Sequence, residues 1–372
     1  MSPRDLIETW PLPLRLLAAL CGEDADITKL ASAMSPADWD RFAELCVSRH
    51  RVASSLLPKL GDVGIPAAAL SDIQSSVQQM AMQSLQQMAE TRRICDRMKK
   101  AGLEPLVFKG WPLAQQLYGQ PAGRHARDID MLIPPRQIGE ADAAMRDLGY
   151  RQIARFDGVA RLVGTAGLDH LGRDIEYFHP DMSFNVEIHW HMHPFRCWPD
   201  PVRMPGGQEH IDTQAGRILV PSQRANLQYL AAHGCLHLWC RLKWLLDIDR
   251  IARELGTDGL EVELDAASSS QVYRAVAQAL RMSAHVFGSP LPARLSVVGG
   301  LDRWLEQKLI GFIADDKMTI AQNLRFKTWT RVASLALSNS IGQALGIVGF
   351  DLVTKPRLAF AIMRSRRQAP QC

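Results

Sequence analysis

Cysteine is sparse and unpaired in this chain: seven residues in 372 (Cys21, Cys46, Cys95, Cys197, Cys235, Cys240 and Cys372), with no Cys-x-x-Cys among them. That scatter argues against a disulfide framework and against a thiolate zinc ribbon. With no secretory signal at the start, reduced thiols in the cytoplasm are the expectation. Charge of one sign is also lacking, because 43 Lys and Arg against 39 Asp and Glu leave a formal charge of only +4. No basic stripe is interleaved with aromatics, which makes a polynucleotide an unlikely partner. Long apolar runs are scarce. The uncharged stretch Val332–Phe350 is long enough to cross a bilayer, yet it contains Ser334, Ser338, Asn339, Ser340, Gln343 and three glycines. Such a stretch is poor membrane material, and a buried or partly buried helix is expected. Lys355, Arg357, Arg364, Arg366 and Arg367 follow it. They read as a solvated basic tail, with weak peripheral contact to anionic lipid as the rival reading. Internal repeats and low-complexity tracts are absent.

What is present is ample core material, 47% apolar with 22% charged residues, enough for about two or three domains. Residues 1–101 read as helical. Ser35-Pro36-Ala37-Asp38 is a helix-start signal, and Ile73–Lys100 runs without glycine or proline and is rich in Gln, Met and Ala. Over 102–220 the texture changes to short β-rich runs broken by Gly and Pro. Asp174–Phe178 and Phe184–Trp190 form a predicted hairpin across Pro180-Asp181-Met182. Helical periodicity returns over 221–372, through Asn226–Leu255 and Val272–Phe287. The fold class is therefore α+β, a small mixed sheet flanked by helical regions.

The chemistry concentrates in Arg127-Asp128-Ile129-Asp130-Met131-Leu132-Ile133. Alternation along a strand points both carboxylates to one face, where they repel unless a cation lies between them. A divalent-metal site is the favoured reading, and a surface cluster with Arg124 and Arg127 the rival. Mutual repulsion also predicts that neutralising either acid leaves the melting temperature near or above the parent value. Upstream, Leu106-Val107-Phe108-Lys109-Gly110-Trp111 is a short strand ending in Lys and Gly before a helix-like segment, a phosphate-binding pattern. Lys109 reads as a phosphate contact or as a strand-end surface lysine. Tyr118–Arg124 is a turn-rich loop delivering an arginine just before the acids. Downstream, Phe184-Asn185-Val186-Glu187-Ile188-His189-Trp190 offers Glu187 as a third ligand, with Glu176 as its rival. His189 shares its face and is a candidate for orienting that carboxylate. Glu187, His189, His191 and His193 alternate and would suit zinc if the strand continued, but Pro194 argues that it frays. His233, His237 and Cys240 fall at helical spacing among Leu236, Leu238, Trp239 and Trp244, where packed histidines are commoner than ligands.

These pieces resemble the DNA polymerase beta nucleotidyltransferase superfamily, and more narrowly a bacterial uncharacterised nucleotidyltransferase-like family. The resemblance rests on Phe108-Lys109-Gly110, Arg124, Asp128-Ile129-Asp130, Glu187-Ile188-His189-Trp190 and His233-Gly234-Cys235-Leu236-His237, spread over roughly positions 90–255. One departure is Trp111, where the superfamily usually has a serine that contacts phosphate. The resemblance implies a metal-dependent enzyme that moves an NMP from an NTP to a hydroxyl of a small-molecule or peptide/protein acceptor. It implies Asp128, Asp130 and Glu187 as metal ligands for two Mg²⁺ (or Mn²⁺) ions, with Lys109, Gly110, Arg124 and His189 around the nucleotide. The alternative is a catalytically silent nucleotide-binding or regulatory protein of the same fold.

Overall fold

The computed structural model describes residues 2–22, 26–153, 173–194, 198, 200–268, 272–318, 324–349 and 352. Cys197, Cys372, Phe350 and the basic residues from Lys355 to Arg367 lie outside the described residues. The fold is mixed α+β, and the described part divides into two compact units. One comprises Met1–Met82, Gln115–His125 and Asn226–Ser340, and is helical. The other comprises Gln83–Ala114, Ala126–Ala225 and the described residues from Ile341, and carries the sheet.

Among the described residues the sheet has seven strands: β1 (Leu106–Phe108), β2 (Asp128–Leu132), β3 (Arg151–Gln152), β4 (Asp174–Phe178), β5 (Asn185–His189), β6 (Gln208–Thr213) and β7 (Gly216–Pro221). Their order is β3-β4-β5-β2-β1-β7-β6. β2 runs antiparallel to β1 and parallel to β5, while β4 and β5 form the expected antiparallel hairpin. One face is apolar: Ile129, Met131, Val186, Ile188, Ile175 and Tyr177 pack with Ile138, Ala141, Ala144 and Met145 of the helix Ile138–Asp147 and with Ile94 and Met98. Period-two alternation then places Asp128, Asp130, Glu187, His189, Asp174 and Glu176 on the opposite face.

The long expected helix spans Ala67–Lys100. It stops where Gly102 adopts φ +76° and the Leu103 amide donates back to the Met98 carbonyl, a left-handed closure that suits glycine. In the helical unit, Ser35 and Asp38 form a capping box at the helix start expected from the sequence, ahead of the helix Pro36–Glu44. The uncharged stretch from Val332 is not one helix. It divides between Leu324–Ala336 and Ile341–Gly349, with Ser338-Asn339-Ser340 in the break, where side chains that compete for backbone hydrogen bonds favour an interruption. No helix among the described residues is long and apolar enough to cross a membrane.

Candidate metal centre

β2 lies between β1 and β5, so three chain segments meet at Asp130. Its register partners are Phe108 on β1 and Glu187 on β5. Asp130 is buried, and its Oδ1 accepts from Lys109 Nζ at 2.9 Å and lies 3.0 Å from His189 Nε2. The same Nε2 is 3.1 Å from Glu187 Oε2, and Asp174 Oδ2 stands 3.7 Å from Nδ1 of the fully buried ring. Ligand atoms of Asp130, Glu187 and His189 all fall within 4.8 Å of one another. Asp130 Oδ2 is buried with no hydrogen-bond partner among the described residues. A buried carboxylate oxygen left unpaired is costly, and two carboxylates with an imidazole are a donor set suited to a divalent cation, so the residues present fit such an ion.

Lys109 reaches Asp130 because the backbone bends sharply after β1. Lys109 has φ +60° and Gly110 φ +47°, both left-handed, and the helix Gly110–Tyr118 begins there. A Cβ on Gly110 would stand 3.4 Å from the Asp128 carbonyl oxygen, a tight approach to β2. A left-handed non-glycine residue is strained, and such strain persists where the surroundings over-determine it. Here the ammonium is pinned between Asp130 and the Phe108 ring, 4.9 Å from the ring centroid.

Electrostatics follow from this geometry. Burial pushes the Asp130 carboxyl up, but the Lys109 ammonium and His189 outweigh burial and hold it well below the usual carboxylate range. Burial pushes His189 down, and its contacts to Asp130 and Glu187 reverse this, so the imidazole stays raised. Asp130 Oδ1 thus meets an ammonium and an imidazole beside it.

A cleft of about 460 Å³ opens beside the acids, lined by Gln83, Arg127, Asp128, Glu176, Ser183, Phe184, Asn185 and Glu187. Asp128 shares this cleft with Glu187 while standing outside the 4.8 Å donor group. Glu176 is the register partner of Glu187 and accepts from Asn185 Nδ2 at 2.8 Å. In the helical unit the Arg124 guanidinium grips the fully buried Asp247, with Nε 2.9 Å from both carboxylate oxygens, and Tyr118 donates to the same group at 3.0 Å. Trp111 is buried against Met88, Ile218 and Val220, its indole N–H donating to Thr91 Oγ1 at 3.0 Å. Trp111 is thus part of a core in this chain.

The chain matches a known sequence family over residues 35–288, most of its length. It belongs to the uncharacterised nucleotidyltransferase family. No curated protein and no solved structure matches it. The family assignment agrees with an acidic, metal-compatible site at Asp130, Glu187 and His189.

The histidine run does not form one ligand face. β5 ends at His189, His191 Nδ1 lies 3.4 Å from Asp200 Oδ2, and His193 packs edge-on to Trp198. His233 and His237 contact each other, and His237 stacks on Trp244 at 4.8 Å between centroids. The helix Gln223–Leu236 ends before His237, so His237 and Cys240 are off its face, and no metal-compatible group forms there among the described residues. Sequence reasoning missed Asp174 as a neighbour of His189, although Asp174-x-Glu176 repeats the period-two acid pattern of β2. It also missed Asp247 as the partner of Arg124, which a separation of 123 positions conceals.

Proposed function

We propose that the protein is a metal-dependent nucleotidyltransferase that moves an NMP from an NTP to a hydroxyl of a small-molecule or peptide/protein acceptor. The observations that carry this reading are ligand atoms of Asp130, Glu187 and His189 within 4.8 Å of one another and a buried Asp130 oxygen without a partner, in a chain of this family. Asp130, Glu187 and His189 would hold Mg²⁺ or Mn²⁺, with Asp128 on the same strand face as a further carboxylate. The ion, when bound, supplies Lewis-acid activation of the triphosphate. Lys109 exchanges its contact with Asp130 for a phosphate oxygen. Glu187, partly exposed at the cleft, orients the acceptor hydroxyl, while the polar lining from Gln83 to Asn185 binds the rest of the acceptor. Arg124, already committed to Asp247, has a structural place in this reading and no phosphate contact.

The test is incubation with each α-labelled NTP, with and without Mg²⁺ or Mn²⁺, against a cell lysate and a peptide pool. Label transfer that needs the metal, Asp130 and Glu187 is the expected result. Absence of both label and any metal-dependent thermal shift with the four NTPs would overturn the reading. The pairing of Asp130 with Lys109 and His189 favours a second reading, a catalytically silent nucleotide-binding protein in which a protein cation occupies the place of the metal. A thermal shift with NTP that needs no metal, together with no label transfer, would select it.

A further inference from the structure

A second cavity, of about 490 Å³, lies beside the acid-lined cleft within the sheet-bearing unit, and Ser183 lines both. One wall is the stripe Gln86, Ala89, Glu90 and Arg93 of the helix Ala67–Lys100, and the other is Asp181 and Met182 in the connection between β4 and β5. Spacings of three and four residues put the stripe on one helix face, with Ala89 as its smallest member. The helical wall is fixed by its own hydrogen bonds. Glu90 is buried, accepting from Arg93 Nε at 2.9 and 3.0 Å and from the Tyr150 hydroxyl at 2.8 Å. Arg93 Nη1 and Nη2 donate to the Leu148 carbonyl at 3.4 and 3.3 Å. Arg93 is thus committed and its charge is balanced by Glu90, so this wall does not recruit an anion. Among the charged groups lining the cavity that leaves Asp181, its side chain 84% exposed and its carboxylate 3.9 Å from His179 Nδ1. Met182 packs against the apolar core of the sheet and, with Ala89, supplies the apolar part of the lining.

We propose that this cavity is a subsite for a basic group on an aliphatic stem, carried by the acceptor at a distance from its reacting hydroxyl. The proposal deepens the transferase reading above and rests on it. The stem lies on Ala89 and Met182, and the cationic head meets Asp181, an arrangement in which a long charged side chain buries its methylenes and keeps its charge in water. Four residues of extended chain from Ser183 to Glu187 span roughly 13 Å, which sets the order of the distance between that head and the hydroxyl. A lysine side chain in a peptide and the amine of a long amino alcohol both present this chemistry.

The experiment gives the full chain two sets of probes. The first is short alanine-based peptides with one serine, alone or with one Lys, Leu or Glu a few residues away, and the second is amino alcohols of increasing chain length beside the matching plain alcohols. Label transfer from each α-labelled NTP is compared as kcat/KM, and dye-labelled copies of the peptides are followed by fluorescence anisotropy, which needs no transfer. A basic group is expected to improve a probe by about fivefold over its neutral counterpart, the upper size of one exposed ion pair, and Glu to weaken it. Ala89→Trp, which fills the lining, and Asp181→Lys, which reverses its charge, should each remove that preference. Both residues are exposed, so both variants should keep the parent melting temperature. A preference confined to peptides makes the acceptor a polypeptide, and one confined to amino alcohols makes it a small molecule; either supports the subsite. Equal use of basic and neutral probes, or a preference that neither variant changes, would overturn it. Binding that prefers Lys without label on any probe would keep the subsite and overturn the transferase reading, whereas transfer indifferent to Lys would do the opposite.

Discussion

At the scale of single residues, Asp130 combines two demands. Its carboxylate is buried and held ionised by Lys109 and His189, and one of its oxygens has no partner. Asp130→Asn should therefore abolish transfer and also lower stability, by about 1–3 kcal/mol, because two donors lose a charged acceptor inside the protein. Urea unfolding measures the second effect, and an unchanged midpoint would show that the ion pair contributes nothing. Glu187→Gln should reduce turnover far more than Glu176→Gln, since Glu187 contacts His189 beside Asp130 whereas Glu176 is engaged by Asn185. Comparing kcat for the two variants checks it, and the reverse order would move the site one strand along the sheet. Asp247→Ala should cost about 3–5 kcal/mol with no specific effect on nucleotide affinity, because it takes the paired carboxylate away from a buried guanidinium.

At the scale of elements, the elbow between β1 and the helix Gly110–Tyr118 decides where the lysine points. Its two left-handed residues turn the chain tightly enough that Lys109 folds back over the sheet. Trp111 then locks the helix to the long helix Ala67–Lys100 through Thr91 and Met88. Trp111→Ser should destabilise the fold by about 3–5 kcal/mol, as expected for emptying a buried tryptophan site. A thermal melt beside an NTP titration checks this, and tighter NTP binding with an unchanged melting temperature would refute it.

At the scale of the whole molecule, stability should fall on acidification. Burial pushes His193 down to about 4, from an ordinary value of 6.5. Below 6.5 the unfolded chain takes up a proton that the folded chain refuses until about pH 4. The stabilisation is complete above 6.5 and is lost between 6.5 and about 4, amounting to about 3 kcal/mol. Asp130 adds to this at lower pH, because a depressed carboxyl contributes stability that disappears as acid protonates it. His189 acts oppositely: its raised value gives stability that is present below 6.5 and lost as pH rises through its folded value. Chemical unfolding at about pH 7.5 and about pH 4.5 measures the acid limb, and His193→Asn should flatten it.

Local pattern by itself determined the strands and the candidate chemistry. Period-two acids in Asp128-Ile129-Asp130, the Glu187-Ile188-His189 run and the Phe108-Lys109-Gly110 elbow are short-range features, and the faces of β2 and β5 follow from alternation alone. The capping box at Ser35 and Asp38 is likewise a matter of three residues. The tertiary structure decided what each charged group meets: Lys109 and His189 on Asp130, Asp247 on Arg124, and Trp111 in a core. Pairings across many residues depend on how the elements pack, and a side chain's periodicity carries no information about a partner on another element.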